Sequence, residues 1–165
     1  PLLEFASKYA LQHWTDPSPT LVEEALVGIM KLATNSPLQR HLQRIHFHSL
    51  KFHTIAIKKN GNWGSPLNAV LAGSLAATKT ACDFASHDQI NNSNAELLLS
   101  SVTSEWFATE AVHTTTTDDV LLVTAPVLVC KTPVRTVGLG DAISAAGLLH
   151  HAINKPGQPS RSNKL

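Results

Sequence analysis

Thr136-Val137-Gly138-Leu139-Gly140-Asp141-Ala142-Ile143-Ser144-Ala145-Ala146-Gly147-Leu148 is the stretch on which the reading of this chain turns. Two glycines and an aspartate run straight into an apolar pattern of helical period, so Thr136 to Ile153 predicts a loop and then a helix. A helix N-terminus carries backbone N–H groups without intrahelical acceptors and the positive end of the helix dipole. Glycines just ahead of it let an anion approach the backbone closely, an arrangement suited to phosphate. A carboxylate there would repel a resting phosphate, so Asp141 needs a further reason to be present. Phosphoryl transfer supplies one: the acceptor hydroxyl must be oriented and lose a proton while N–H donors stabilise the moving group. On these residues alone a structural alternative stays open, in which Gly138 and Gly140 form a tight turn and Asp141 caps the helix.

Working outward, Val120 to Val129 predicts a strand, with Pro126 marking an edge or a bulge. Further upstream, Ile45, Phe47 and Ser49 alternate with Arg44, His46 and His48 as a strand does, and Phe52 to Ile57 predicts another. Lys58 to Asn62 is a turn. Ser65 to Cys82, rich in Ala and Leu, predicts a helix in which Gly73 permits close packing. Thr20, with Glu23 three residues on, has the form of a capping box for a helix whose buried stripe is Leu21, Ala25, Leu26, Ile29, Met30 and Ala33. Asn35-Ser36-Pro37 ends it. Leu2, Leu3, Phe5, Tyr9, Ala10 and Trp14 suit an amphipathic helix. Residues 83–104 predict a long surface loop with a short helix. Trp106 to Thr115 predicts a strand and Thr114 to Asp119 its turn. Helices mixed with strands make an α/β layered domain.

Composition narrows the function. The chain has 165 residues, with 13 Lys and Arg against 12 Asp and Glu. This balance gives no electrostatic case for nucleic acid or an anionic membrane. No apolar run reaches the roughly 18 residues of a spanning helix. Cys82 and Cys130 make neither a disulfide framework nor a zinc motif. His46, His48 and His53 cluster, and His46 and His48 share a strand face. They lack a helical pair with a carboxylate and a cysteine at zinc spacing, which disfavours a structural metal. The scattered Trp14, Trp63 and Trp106 indicate packing, and Arg135 is read as an exposed loop arginine.

The flanks of the glycine motif add a family. Pro126 to Ala145, PVLVCKTPVRTVGLGDAISA, resembles the C-terminal signature of animal-type ADP-dependent glucokinases of the ribokinase-like superfamily. Arg44-Ile45-His46-Phe47-His48-Ser49-Leu50 resembles a second block of that family, and Asn62-Trp63 with the Ala-rich helix fits the spacing between them. The resemblance spans roughly residues 40–150. It implies a ribokinase-like α/β fold with helices on a mixed sheet. Residues 1–153 would form the C-terminal part of the large nucleotide-binding domain, and 154–165 a disordered tail. It implies magnesium-dependent transfer of the β-phosphoryl of ADP to the 6-hydroxyl of glucose, leaving AMP. By motif, Asp141 matches the proton acceptor, which also lies near sugar and metal. Gly140, with Gly138 beside it, matches the anion hole. His48 and Ser49 match a His-Thr pair at ADP, and Cys130 a backbone contact to the adenosine part.

The resemblance also implies the endoplasmic reticulum or secretion, while the oligomeric state stays open, with a monomer favoured. Family enzymes are several hundred residues long, and this chain holds about the last third. The lid and an Asn-x-x-Glu magnesium element are not found in it, and Ala146 stands where relatives often carry Glu. Two rivals remain: an ATP-dependent kinase of the same superfamily, and a truncated, non-catalytic nucleotide-binding or interaction fragment.

Overall fold

A computed structural model of the chain describes residues 17–34 and 41–151. The amphipathic segment at 2–14, the Asn35-Ser36-Pro37 terminator and the tail at 154–165 lie outside the described residues. The elements in order are α1 (Pro19–Thr34), β1 (Arg44–His48), β2 (Phe52–Lys58), α2 (Pro66–Cys82), β3 (Ala95–Leu97), α3 (Ser101–Trp106), β4 (His113–Thr116), β5 (Val120–Pro126), β6 (Leu128–Cys130) and α4 (Leu139–Leu149).

Four strands form a sheet in the order β1-β2-β5-β4, and β3 pairs with β6 in a second, two-stranded sheet. All these pairs are antiparallel, not the expected mixture of directions. Side chains alternate across the four-stranded sheet. Phe52, Ala56, Val120 and Leu122 meet Val22, Leu26 and Met30 of α1 on one face. Ile55, Ile57, Val123 and Ala125 meet Ala69 and Val70 of α2 on the other. Helix α4 packs against α2 and reaches β1 on that second face. The sheet is therefore sandwiched between helices, the layered α/β architecture expected.

Several boundaries differ from the sequence reading. Ser18, not Thr20, caps α1: its Oγ accepts from the Leu21 N–H at 3.2 Å, with Pro19 opening the helix. Glu23 is not free to close a capping box, because it is buried and accepts from Thr124 Oγ1 at 2.8 Å. Val22 joins the core and Ile29 turns outward. Helix α2 hides Ala69, Gly73, Ser74, Ala77 and Thr78 while exposing Leu67, Leu71 and Leu75, because small residues let α4 and the sheet come close.

The expected loop at 83–104 contains β3, and α3 begins within it. The expected strand from Trp106 shrinks to His113–Thr116, so Thr114 to Thr116 are strand and not turn. The long strand expected from Val120 breaks at Val127. Pro126 ends β5 opposite Phe52, and Leu128 to Cys130 join the second sheet. Pro126 thus marks a change of sheet, and β5 is an interior strand. Its missing N–H falls where the ladder stops.

Cys82 and Cys130 form a disulfide with Cα atoms 5.6 Å apart. The spacing of two cysteines did not show this, because it depends on β6 returning beside the end of α2.

A candidate nucleotide and phosphoryl-transfer site

The site gathers where β1, β5 and β6 end and α4 begins. Gly138 is the N-cap of α4 with φ 82° and ψ 6°, a left-handed backbone that glycine adopts without a Cβ clash. The first turn closes through the Ala142 N–H donating to the Gly138 carbonyl at 2.9 Å. The N–H groups of Leu139, Gly140 and Asp141 precede that bond and have no intrahelical acceptor. Asp141 is exposed on this first turn.

His48 comes to the same place from β1. A Cβ added to Gly140 would stand 2.6 Å from His48 Cε1, so the ring lies directly on the glycine backbone. The two blocks of motif, about ninety residues apart in sequence, therefore meet. Ser49 follows at the β1–β2 turn. Its Oγ donates to the Phe52 carbonyl at 2.9 Å and accepts from the N–H groups of Lys51 and Phe52, each at 3.2 Å. A hydroxyl has one proton to give, and here it closes the hairpin. What Ser49 does in this arrangement is hold the turn that presents His48.

Beside α4 lies a cavity of about 350 Å³. Leu50, Ala77, Val127, Leu139 and Ile143 make its wall mostly apolar, and Cys130 borders it. Cys130 is held from two sides, by the disulfide and by pairing with Ala95. Arg135 is turned away, its Nη2 3.5 Å from Asp83 Oδ1 at the surface. The Val134 N–H donates to the Ala81 carbonyl at 2.8 Å, which fastens the loop before Gly138 to the end of α2. An apolar slot opening on a helix N-terminus can take a flat heterocycle and the phosphate attached to it.

Behind this site stands a group of histidines that strand alternation showed only in part. His46 and His48 share a face of β1 as expected. His53 reaches them from β2, and His151 from beyond α4. Burial, with His53 and Arg44 adding to it, pushes His46 down to about 3. Burial followed by His48 lowers His53 to about 4, and burial followed by Arg44 does the same for His151. No group of three His, Cys, Asp or Glu side chains among the described residues is arranged to hold a metal ion.

Comparison with known proteins settles what this geometry belongs to. Residues 2–150 match the model of the ADP-specific phosphofructokinase/glucokinase conserved region. The chain belongs to this family. Within the ADP-specific kinases, it is 35% identical to a bovine ADP-dependent glucokinase over 163 aligned positions, covering 88% of this chain and 31% of the relative. It is 32% identical to a probable ADP-dependent glucokinase of Caenorhabditis elegans over 126 positions, 70% of this chain and 25% of that one. The chain thus spans less than a third of the length of these ADP-dependent relatives. Among solved structures it matches an ADP-dependent kinase in complex with fructose-6-phosphate and ADPβS. The TM-score is 0.51 at 21% identity, over 78% of this chain and 32% of that one, a likeness of fold.

Proposed function

We propose that this chain is the C-terminal, nucleotide-binding part of an ADP-dependent glucokinase, which moves the β-phosphoryl of ADP to the 6-hydroxyl of glucose. The observation that carries this reading is the junction of His48 with Gly140, where an exposed helix N-terminus opens beside an apolar cavity. The cavity takes the adenosine part, with the backbone at Cys130 as one contact. The N–H groups of Leu139 to Asp141 and the His48 ring face the phosphates.

Asp141 is the base. The sugar hydroxyl gives its proton to the carboxylate as its oxygen bonds to the β-phosphorus. The bond from that phosphorus to the bridging oxygen breaks, and the electron pair leaves on AMP. The amide groups of the helix start bear the charge that grows on the transferring oxygens. Magnesium enters as part of the substrate, bound to ADP. Asp141 would help hold it and offset the phosphate charge, and no group of three His, Cys, Asp or Glu among the described residues is arranged for a metal ion. Glucose is favoured as acceptor by the glucokinase relatives. The Cys82–Cys130 disulfide supports an oxidising compartment, the endoplasmic reticulum or outside the cell.

The test is calorimetry with Mg-ADP and Mg-ATP. Binding of ADP in preference to ATP, lost in Gly140→Glu and kept in Asp141→Asn, is the expected result. A folded chain that binds neither nucleotide overturns the reading. A preference for ATP points to the ATP-dependent branch of the superfamily. Binding of ADP with no glucose 6-phosphate formed moves the reading to a non-catalytic nucleotide-binding unit.

A further inference from the structure

The phosphoryl-transfer reading leaves the half-buried His46 and the buried His53 and His151 without a task. Arg44 Nε donates to His151 Nδ1 at 2.8 Å. Arg44 Nη2 stands 3.4 Å from His46 Nδ1, and His46 Nε2 stands 3.1 Å from His53 Nδ1. Arginine only donates, so it sets every tautomer along this chain of rings. His46 accepts at Nδ1, carries its proton on Nε2 and donates to His53. His53 and His151 accept at Nδ1 and carry their protons on Nε2, and both those Nε2 atoms are buried without a partner among the described residues. Each ring keeps one acceptor nitrogen, and each acceptor already faces a donor. A second proton on any of the three replaces a hydrogen bond with two donors pointing at each other.

The rings also carry the helices. A Cβ at Gly147 of α4 would stand 3.0 Å from His46 Cε1 and 3.3 Å from the Ala69 carbonyl oxygen. One at Gly73 of α2 would stand 3.1 Å from His53 Cε1 and 3.1 Å from the Ile143 carbonyl oxygen. Both helix backbones therefore ride on ring edges. The titratable and charged groups facing His46 are Arg44 and His48 from its own strand, His53 from β2 and His151 from beyond α4. None of these is a carboxylate, and α2 and α4 offer glycine at the rings.

We propose that His46, bonded to His53 and seated under Gly147, is a positioning residue that holds α4 on the sheet while it is uncharged, and that acid unseats the helix. The consequence for nucleotide rests on the reading of the α4 N-terminus as the phosphate site. The depressed folded values of about 3 for His46 and about 4 for His53 and His151, against 6.5 for a free ring, give the sign. The seated helix has its full advantage above 6.5 and loses it as pH falls from there toward 4 and then 3.

Hydrogen exchange of the α4 amides, corrected for intrinsic rate, tests this between about pH 7.5 and about pH 5, with Mg-ADP titrations alongside. One ring that regains its free value in the open state makes opening roughly thirtyfold easier at about pH 5. Wild type is expected to open α4 by at least that factor while the β5 amides stay protected. His46→Gln is expected to match wild type at about pH 7.5 and to lose roughly thirtyfold of the acid response. Gly147→Ala, which pushes on the ring from the helix side, is expected to open α4 at both pH values and keep the acid response. It decides the matter if His46→Gln does not fold. ADP affinity is expected to fall with the closed fraction of α4, and so only where the open state becomes appreciably populated. Exchange of α4 in step with β5 overturns the proposal, as does a full acid response in His46→Gln or full protection in Gly147→Ala. An α4 that opens as expected in a chain that binds no ADP at any pH supports the seating and overturns only the phosphate-site reading.

Discussion

Gly140→Ala separates a binding role for the glycine from a folding role, because the two predict opposite signs. Among the described glycines only Gly138 has a positive φ, so alanine at 140 meets no backbone strain. Inside a helix the exchange gains up to about 1 kcal/mol, less near the end. The new Cβ, however, falls 2.6 Å from His48 Cε1, and carbon atoms rest at roughly 3.5 Å or more. The ring must therefore shift by about 1 Å. His48 is exposed and can swing outward at little cost to folding.

Under the proposed function, what it would lose is its place against the phosphates. A hydrogen bond to a charged group contributes about 1.5–3 kcal/mol, so ADP affinity is expected to drop roughly tenfold to a hundredfold. The melting temperature is expected to hold or rise slightly. Calorimetry with Mg-ADP and a thermal melt on the same preparation read both. His48→Ala and the double variant complete a cycle. If the glycine acts through the ring, the double variant binds no more weakly than His48→Ala alone. Wild-type affinity in Gly140→Ala, or losses that simply add, would refute the contact as the reason for glycine at 140.

Two predictions concern stability. Cys82→Ser opens a loop closed across 48 residues, and chain entropy puts the loss at about 4 kcal/mol. Urea midpoints with and without reductant check it, and a wild type indifferent to reductant would mean the bond is not formed. Phe52 is fully buried between β1 and α1, so Phe52→Ala is expected to cost about 3–5 kcal/mol by urea melt, with little change in ADP affinity per folded molecule.

The glycine turn, the following helix and the alternating faces of β1 were legible because each depends on neighbours within a few positions. The same locality misplaced the cap of α1. Thr20 and Glu23 have the right spacing for a box, but Glu23 is claimed by Thr124 across the sheet. The histidine layer was half legible. Sequence proximity and alternation put His46, His48 and His53 in one cluster, while the register fixed which rings touch and His151 entered through the packing of α4. The disulfide and the pairing of β3 with β6 were hidden for one reason: both require the chain to turn at Val127 and run beside residues more than thirty positions away. Pro126 signalled that turn without telling which sheet lay beyond it. Ser49 was placed at the ligand by its match to the family's His-Thr pair, and the structure adds a local bond from its Oγ to the Phe52 carbonyl that composition does not show.

The Cys82–Cys130 bond makes residues 82–130 a closed covalent ring that contains β3, β4 and β5. A protease that nicks the exposed stretch around Asn91 and Asn92 would cut one backbone bond and release nothing. The two halves would stay tethered, β5 would remain between its neighbours, and the nick would show only when the thiols are freed. A preparation running as one band without reductant and two with it would still present α4 and its glycine turn intact. A broken backbone in this exposed segment would thus leave the fold tethered, and new sequence could be spliced there on the same grounds.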